Sequence, residues 1–134
     1  MAGYSGKPLI NKLGIKPGAR LLILAAPTGY ARTLGALPEG VVQAKALAGA
    51  FDFIQFFTTK RRDLERRFAA LAKSLEPDGM LWVSWPKKAS GVATDVTEDV
   101  VREIALAAGL VDVKVCAVDE TWSGLKLVRR LKDR

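Results

Sequence analysis

No histidine occurs among the 134 residues. The commonest general acid–base side chain is therefore missing, and with it the Ser–His and Cys–His pairs that activate nucleophiles. One cysteine, Cys116, excludes an intrachain disulfide and, with no histidine beside it, a structural zinc site. The 14 acidic residues are scattered, and none stands in Asp-x-Asp spacing. No metal ligand and no catalytic residue can be assigned on this basis. No apolar run approaches the roughly 18 residues of a membrane-spanning helix, and the first six residues lack the apolar centre of a secretory leader. A cytoplasmic setting without membrane attachment is expected.

What is present describes an ordinary folded chain. Apolar residues make up 49% and charged residues 26%, which suits one domain over 1–134 with its own core. Residues 1–19 read as a helical lead-in and 130–134 as a basic tail. The formal net charge is +7. Such an excess attracts nucleic acid or phosphorylated metabolites, but simple solubilisation explains it more economically.

The order of apolar runs sets the architecture. Pro8 suits the first turn of a short helix through Leu9, Ile10 and Leu13, which Gly14 ends. Ser5-Gly6-Lys7 has a superficial likeness to a phosphate loop but lacks the spacing and the preceding strand, so a helix-entry loop is the better reading. Residues 20–26 are apolar on both faces, as in a parallel strand covered by helices. A short helix over 31–37 and a short strand over 41–44 follow, then an aromatic-rich strand over 51–58. Leu64, Phe68, Leu71 and Leu75 form one stripe of a helix over 61–75, capped by Thr58 or Thr59. Arg62, Arg66, Arg67 and Lys73 fall outside the stripe and read as a solvated face. Glu76-Pro77-Asp78-Gly79 is a turn into a buried strand that stops at Pro86 with Lys87 and Lys88 behind it; residues 79–88 are the stretch around which the chain is organised. Its alternation sends Met80, Trp82 and Ser84 to one face and Leu81, Val83 and Trp85 to the other, so each tryptophan is expected in a core layer. Asp95 with Glu98 has capping-box spacing and predicts a helix with Val100, Ile104, Ala107 and Ala108 inward, ended by Gly109. Residues 111–118 and 122–129 form a closing antiparallel hairpin, the first of them nearer an edge.

This order resembles a small S-adenosylmethionine-dependent methyltransferase fold: a three-layer, Rossmann-like α/β domain with a mostly parallel sheet and a C-terminal antiparallel hairpin. Residues 13–24 look like that family's entry into its first strand, Phe51–Ile54 like its fourth strand, Leu75–Val83 like the turn into its fifth, and Ala107–Val111 like its last helix-to-strand junction. At least one strand–helix unit is missing before Phe51. More specifically, 79–88 and 111–126 resemble a bacterial group, the domain of unknown function 3052 family, which implies no activity. The methyltransferase resemblance implies S-adenosylmethionine as cofactor, and two departures weaken that implication. The Gly-x-Gly loop expected after the first strand reads Ala25-Ala26-Pro27-Thr28-Gly29, and Val41–Leu47 holds no acid for the ribose hydroxyls.

Ligands of open α/β sheets bind outside the carboxyl ends of the parallel strands. Three such ends converge here, bringing Pro27, Thr28, Gly29 and Tyr30, then Thr58, then Ser84, Trp85, Lys87 and Lys88. Hydroxyls and ammonium groups near helix starts suit an anion. Cys116 reads as an inert small hydrophobe, with Lys114 the one nearby hint of activation. The expectation is a non-catalytic methyltransferase-like module that binds a protein partner or a small anionic ligand, with no cofactor required. An active S-adenosylmethionine-dependent methyltransferase and a nucleic-acid-associated basic protein are the alternatives.

Overall fold

The computed structural model describes residues 7–134, so the Ser5-Gly6 part of the phosphate-loop candidate lies outside the described residues. The elements run α1 (Leu9–Leu13), β1 (Arg20–Leu24), α2 (Tyr30–Leu34), β2 (Val42–Ala44), β3 (Phe51–Phe57), α3 (Arg61–Lys73), β4 (Leu75–Pro86), α4 (Glu98–Ala107), β5 (Leu110–Ala117) and β6 (Trp122–Arg129). The six strands form one sheet in the order β2-β1-β3-β4-β6-β5. β2, β1, β3 and β4 are mutually parallel, and β6 runs antiparallel between β4 and β5. The segment read as resembling a fourth strand is therefore the third, and the missing unit is visible in how the chain crosses from β2 to β3. Residues 45–50 make that crossing with no helix.

A side chain holds this abbreviated crossing in place of a helix. Arg20 donates to the carbonyls of Ala48 and Ala50, each at 2.8 Å, and its guanidinium lies 4.1 Å from the centre of the Phe51 ring. Its backbone N–H donates to Asp52 Oδ2. The planar guanidinium with five donors suits this combined stacking and carbonyl capture.

Strand alternation divides the core into two layers. Leu22, Ile54, Phe56, Leu81, Val83, Trp85, Leu125 and Leu127 face α3 and α4. Leu21, Phe53, Phe57 and Trp82 face α1 and α2. Both tryptophans of β4 are buried, one in each layer. On the α1 side the Trp82 indole N–H donates to the Leu13 carbonyl at 2.9 Å, and a Cβ at Gly124 would lie 3.0 Å from the same ring. Gly124 is thus the thin place in β6 that lets the indole lie flat against the sheet.

β4 begins earlier than the turn over 76–79 suggested. Leu75 pairs with Phe51, but the next matched pair is Phe53 with Met80, so the Glu76–Gly79 segment is an insertion within a strand. A Cβ at Gly79 would stand 2.7 Å from the Phe51 carbonyl oxygen, which explains the glycine.

The helix starts depart from the local sequence signals. Thr97, not Asp95, caps α4, accepting from the Val100 N–H. Asp95 instead accepts from the Arg61 N–H at 2.7 Å and so serves the first turn of α3. The cap lies two residues later than the sequence suggests; Val101 and Ala105 are the buried positions, Ile104 packs partly buried against the core as expected, and Ala107 and Ala108 are exposed. α3 is preceded by Lys60, and Thr58 Oγ1 accepts from the Lys60 N–H rather than capping the helix interior. α2 starts at Tyr30 and ends at Leu34, one residue earlier at its start and three at its end than the sequence suggested.

Candidate functional site

The carboxyl ends of β1, β3 and β4 lie on one side of the sheet, beside the amino end of β6. A cleft of about 340 Å³ opens there. Its walls include Ala25 after β1, Thr58 and Thr59 after β3, Arg66 and Arg67 on α3, and Trp122 at the start of β6. Arg67 is placed by its ring partner, with its guanidinium 5.3 Å from the centre of Phe56. Arg66 is largely exposed and pairs with Asp63 at 3.1 Å. The cleft wall therefore carries two guanidinium groups, one of them engaged by Asp63, and two threonines, of which Thr58 uses its hydroxyl on the Lys60 backbone. Guanidinium forks on a rigid wall suit a carboxylate or phosphate.

Ala25 marks the start of the cleft in the backbone itself. Its φ is 59°, the one positive value at a non-glycine position among the described residues. A left-handed alanine costs about 1–2 kcal/mol. The chain bends here at the position where the resembled fold carries its glycine loop, and the strain falls on the cleft's rim.

Beneath the cleft runs a buried polar relay. Tyr30 Oη donates to Gln55 Oε1 at 2.7 Å, and Gln55 Nε2 donates to Ser84 Oγ at 3.1 Å. Gln55 and Ser84 are fully buried and Tyr30 nearly so. Burial pushes the Tyr30 phenol well above its usual range, with the hydrogen bond to Gln55 acting in the opposite direction. Edge-to-face ring contacts extend the support, from Tyr30 to Phe57 at 4.7 Å and from Phe57 to Trp122 at 5.1 Å. The relay ties α2 to β3 and β4, and the rings carry that support to the cleft wall at Trp122.

The residues anticipated at the strand ends separate into different surroundings. Thr58 lines the cleft. Tyr30 and Ser84 lie below it in the relay. Pro27, Thr28 and Gly29 form the turn leading into α2, where the Tyr30 N–H donates to the Pro27 carbonyl. Trp85 and Lys88 line a second cavity of about 470 Å³, under the loop that leads to α4. The Lys87 N–H donates to the Thr121 carbonyl at 2.7 Å, which anchors the end of β4 next to Trp122. Arg66 and Arg67 read from sequence as a solvated face, yet they border the cleft, and no local pattern names the partners of Gln55. A lone amide in the run Phe51–Phe57, apolar on both faces, was the available signal for the relay.

The chain matches, over residues 41–131, the family described as "Protein of unknown function (DUF3052)". It belongs to that family. No curated protein matches this DUF3052 chain in sequence. Solved structures match it in fold. One is an S-adenosylmethionine-dependent methyltransferase from Aquifex aeolicus, 14% identical, with 93% of this chain and 89% of that one covered and a TM-score of 0.63. A second is magnesium protoporphyrin IX methyltransferase from Synechocystis PCC 6803, with S-adenosylhomocysteine bound, at 12% identity, coverage of 90% and 78%, and a TM-score of 0.59. A third is ribosomal protein L11 methylase from Lactobacillus delbrueckii subsp. bulgaricus, at 15% identity, coverage of 91% and 75%, and a TM-score of 0.58. The DUF3052 chain thus has a methyltransferase-like fold.

The side chains around the end of β1 can be compared with what that cofactor presents: a sulfonium cation, an ammonium group, a carboxylate and a ribose diol. A small cavity of about 210 Å³ beside β1 and β2 is lined by Ile23, Ala26, Tyr30, Leu34 and Gln43 among others, with no carboxylate for the diol. β2 ends at Ala44 and is followed by Lys45. In the larger cleft the acid among the lining residues is Asp63, already paired with Arg66, and Arg67 adds a further positive charge that disfavours a sulfonium. The residues present do not fit this cofactor.

Proposed function

We propose that this DUF3052 protein is a non-catalytic, methyltransferase-like module that binds a small anionic ligand in the cleft at the carboxyl ends of β1 and β3. The observation that carries the reading is the pairing of Arg66 and Arg67 with Thr58 and Thr59 on one cleft wall, with no unpaired carboxylate among its lining residues. The absence of histidine from the whole chain supports the non-catalytic half of the reading, since no imidazole base is available to an acceptor. A volume of about 340 Å³ suits a ligand of metabolite size.

The reading is tested by thermal denaturation with pyrophosphate and citrate as probes. At least one of them is expected to raise the melting temperature of the wild-type protein. The double variant Arg66→Met, Arg67→Met is expected to lose that shift while its ligand-free melting temperature changes little, since surface ion pairs contribute about 0–1 kcal/mol. Lys87→Met with Lys88→Met is the comparison. If that pair abolishes the shift and the arginine pair does not, the site belongs to the end of β4 instead. No shift in the wild type with either probe contradicts the proposal.

A further inference from the structure

The side-chain ion pairs among the described residues all lie around α3 and α4. Arg61 pairs with Glu65 and Glu103, Arg66 with Asp63, and Arg102 with Glu98, Asp99 and Asp112. The opposite side of the sheet is different. A cleft of about 490 Å³ opens there between the start of the chain and the β5–β6 hairpin, lined by Lys7, Lys12, Lys114, Cys116 and Ser123 among others. Among the described residues no carboxylate lines it.

The cations of this cleft are set in place by the fold. Lys12 lies on α1 and is only 7% exposed, with its ammonium donating to the Ala117 carbonyl at 2.8 Å. Its charge is therefore fixed on the cleft wall. Lys114 stands directly opposite Lys126 in the β5–β6 register. Lys126 in turn pairs with Trp82 in the β4–β6 register, which puts both lysines on the α1 side of the sheet. Like charges directly opposite one another on adjacent strands are destabilising. Neither Lys114 nor Lys126 forms an ion pair among the described residues. The Lys126 ammonium is held below its usual range, first by burial and then by Lys114, Lys16 and Arg134. Of the acids near this end, Asp119 is already occupied, its Oδ1 accepting from the N–H groups of Thr121 and Trp122. Lys16 lies farther along the same side, in a separate cavity with Asp52 and Asp78.

A cross-strand lysine pair that the fold leaves without counter-charge calls for an anion from outside. We infer that this cleft, lined by Lys12 and Lys114 and flanked by Lys126 on the neighbouring strand, docks the phosphate backbone of a nucleic acid. The concavity suits a ridge of sugar and phosphate better than a flat bilayer. Among the described residues no aromatic or arginine side chain lines the cleft, so these residues contact backbone without stacking on bases or reading them in bidentate fashion. The surface is separate from the arginine cleft at the strand ends, and this inference stands whether or not that cleft binds a ligand.

The test is fluorescence anisotropy of a labelled mixed-sequence duplex across a salt series. Neutralising about three phosphates predicts that log K falls against log salt with a slope of about −3. The double variant Lys114→Glu, Lys126→Glu is expected to weaken binding at low salt at least tenfold and to make the slope shallower by about 2. Lys114→Gln with Lys126→Gln relieves the like-charge pair, so it should melt no lower than the wild type while still binding more weakly. Arg66→Met with Arg67→Met should leave duplex affinity unchanged. No duplex binding at low salt, an unaltered affinity in both lysine variants, or binding to phosphatidylserine vesicles but not to duplex would each overturn the inference.

Discussion

Trp82→Ala is expected to be strongly destabilising, lowering the unfolding free energy by about 3–5 kcal/mol. Trp82 is fully buried in the layer beneath α1, and its indole N–H donates to the Leu13 carbonyl across 69 positions of sequence. Truncation opens a cavity between β4, β6 and α1, because Gly124 on the facing strand has no side chain to fill it. It also leaves the Leu13 carbonyl without its donor. Against a total stability of about 5–15 kcal/mol, such a loss leaves a marginal or unfolded protein. Trp82→Phe separates the two contributions. It keeps most of the volume and loses the N–H, so it should cost less than the alanine variant and still more than a surface change. Urea unfolding followed by fluorescence of the remaining tryptophans measures both.

The second large effect is expected at Gln55. The amide joins two buried hydroxyls, and Gln55→Leu removes the partner of each in one step. An unsatisfied buried polar group costs about 1–3 kcal/mol, so a loss of about 2–6 kcal/mol is expected. The triple variant Tyr30→Phe, Gln55→Leu, Ser84→Ala removes the hydroxyls as well. Although it carries more substitutions, it should be less destabilised than Gln55→Leu alone, because no orphaned group remains. If the triple variant is as unstable as the sum of its single variants, the relay contributes as independent bonds and not as a connected network.

These two residues also show what was legible in the sequence. The alternation of Met80 to Pro86 put Trp82 and Trp85 in opposite core layers, and the structure does the same, because period two is dictated by the strand backbone alone. The bounds of β6 and the edge placement of β5 were equally readable from alternation and turn chemistry. Gln55 was visible as an anomaly, but its partners lie 25 and 29 positions away, and no local pattern names them. The same holds for Asp95. Its spacing to Glu98 suggested a local cap, whereas the tertiary fold gives its carboxylate to the Arg61 N–H of α3 and leaves Thr97 to cap α4. The buried positions of α4 are Val101 and Ala105, with Ile104 beside them.

A cleft opens at the strand ends that the sequence singles out, but the residues named there do not all line it. Thr58 lines it, while Trp85 and Lys88 turn to the cavity on the α4 side. Arg66 and Arg67 come from a helix whose outer positions read as merely solvated. Only the placement of α3 against the end of β3 shows that part of that face borders a cleft. Ala25 carries its information in a dihedral angle, which composition and spacing do not encode.

We propose that this methyltransferase-like fold binds an anion in place of S-adenosylmethionine. Titration calorimetry with S-adenosylhomocysteine tests it most directly. The account predicts no saturable binding, because the ends of β1 and β2 offer no free carboxylate to the ribose and the neighbouring cleft is cationic. Saturable one-to-one binding at micromolar or tighter affinity, with competition by S-adenosylmethionine, would contradict it.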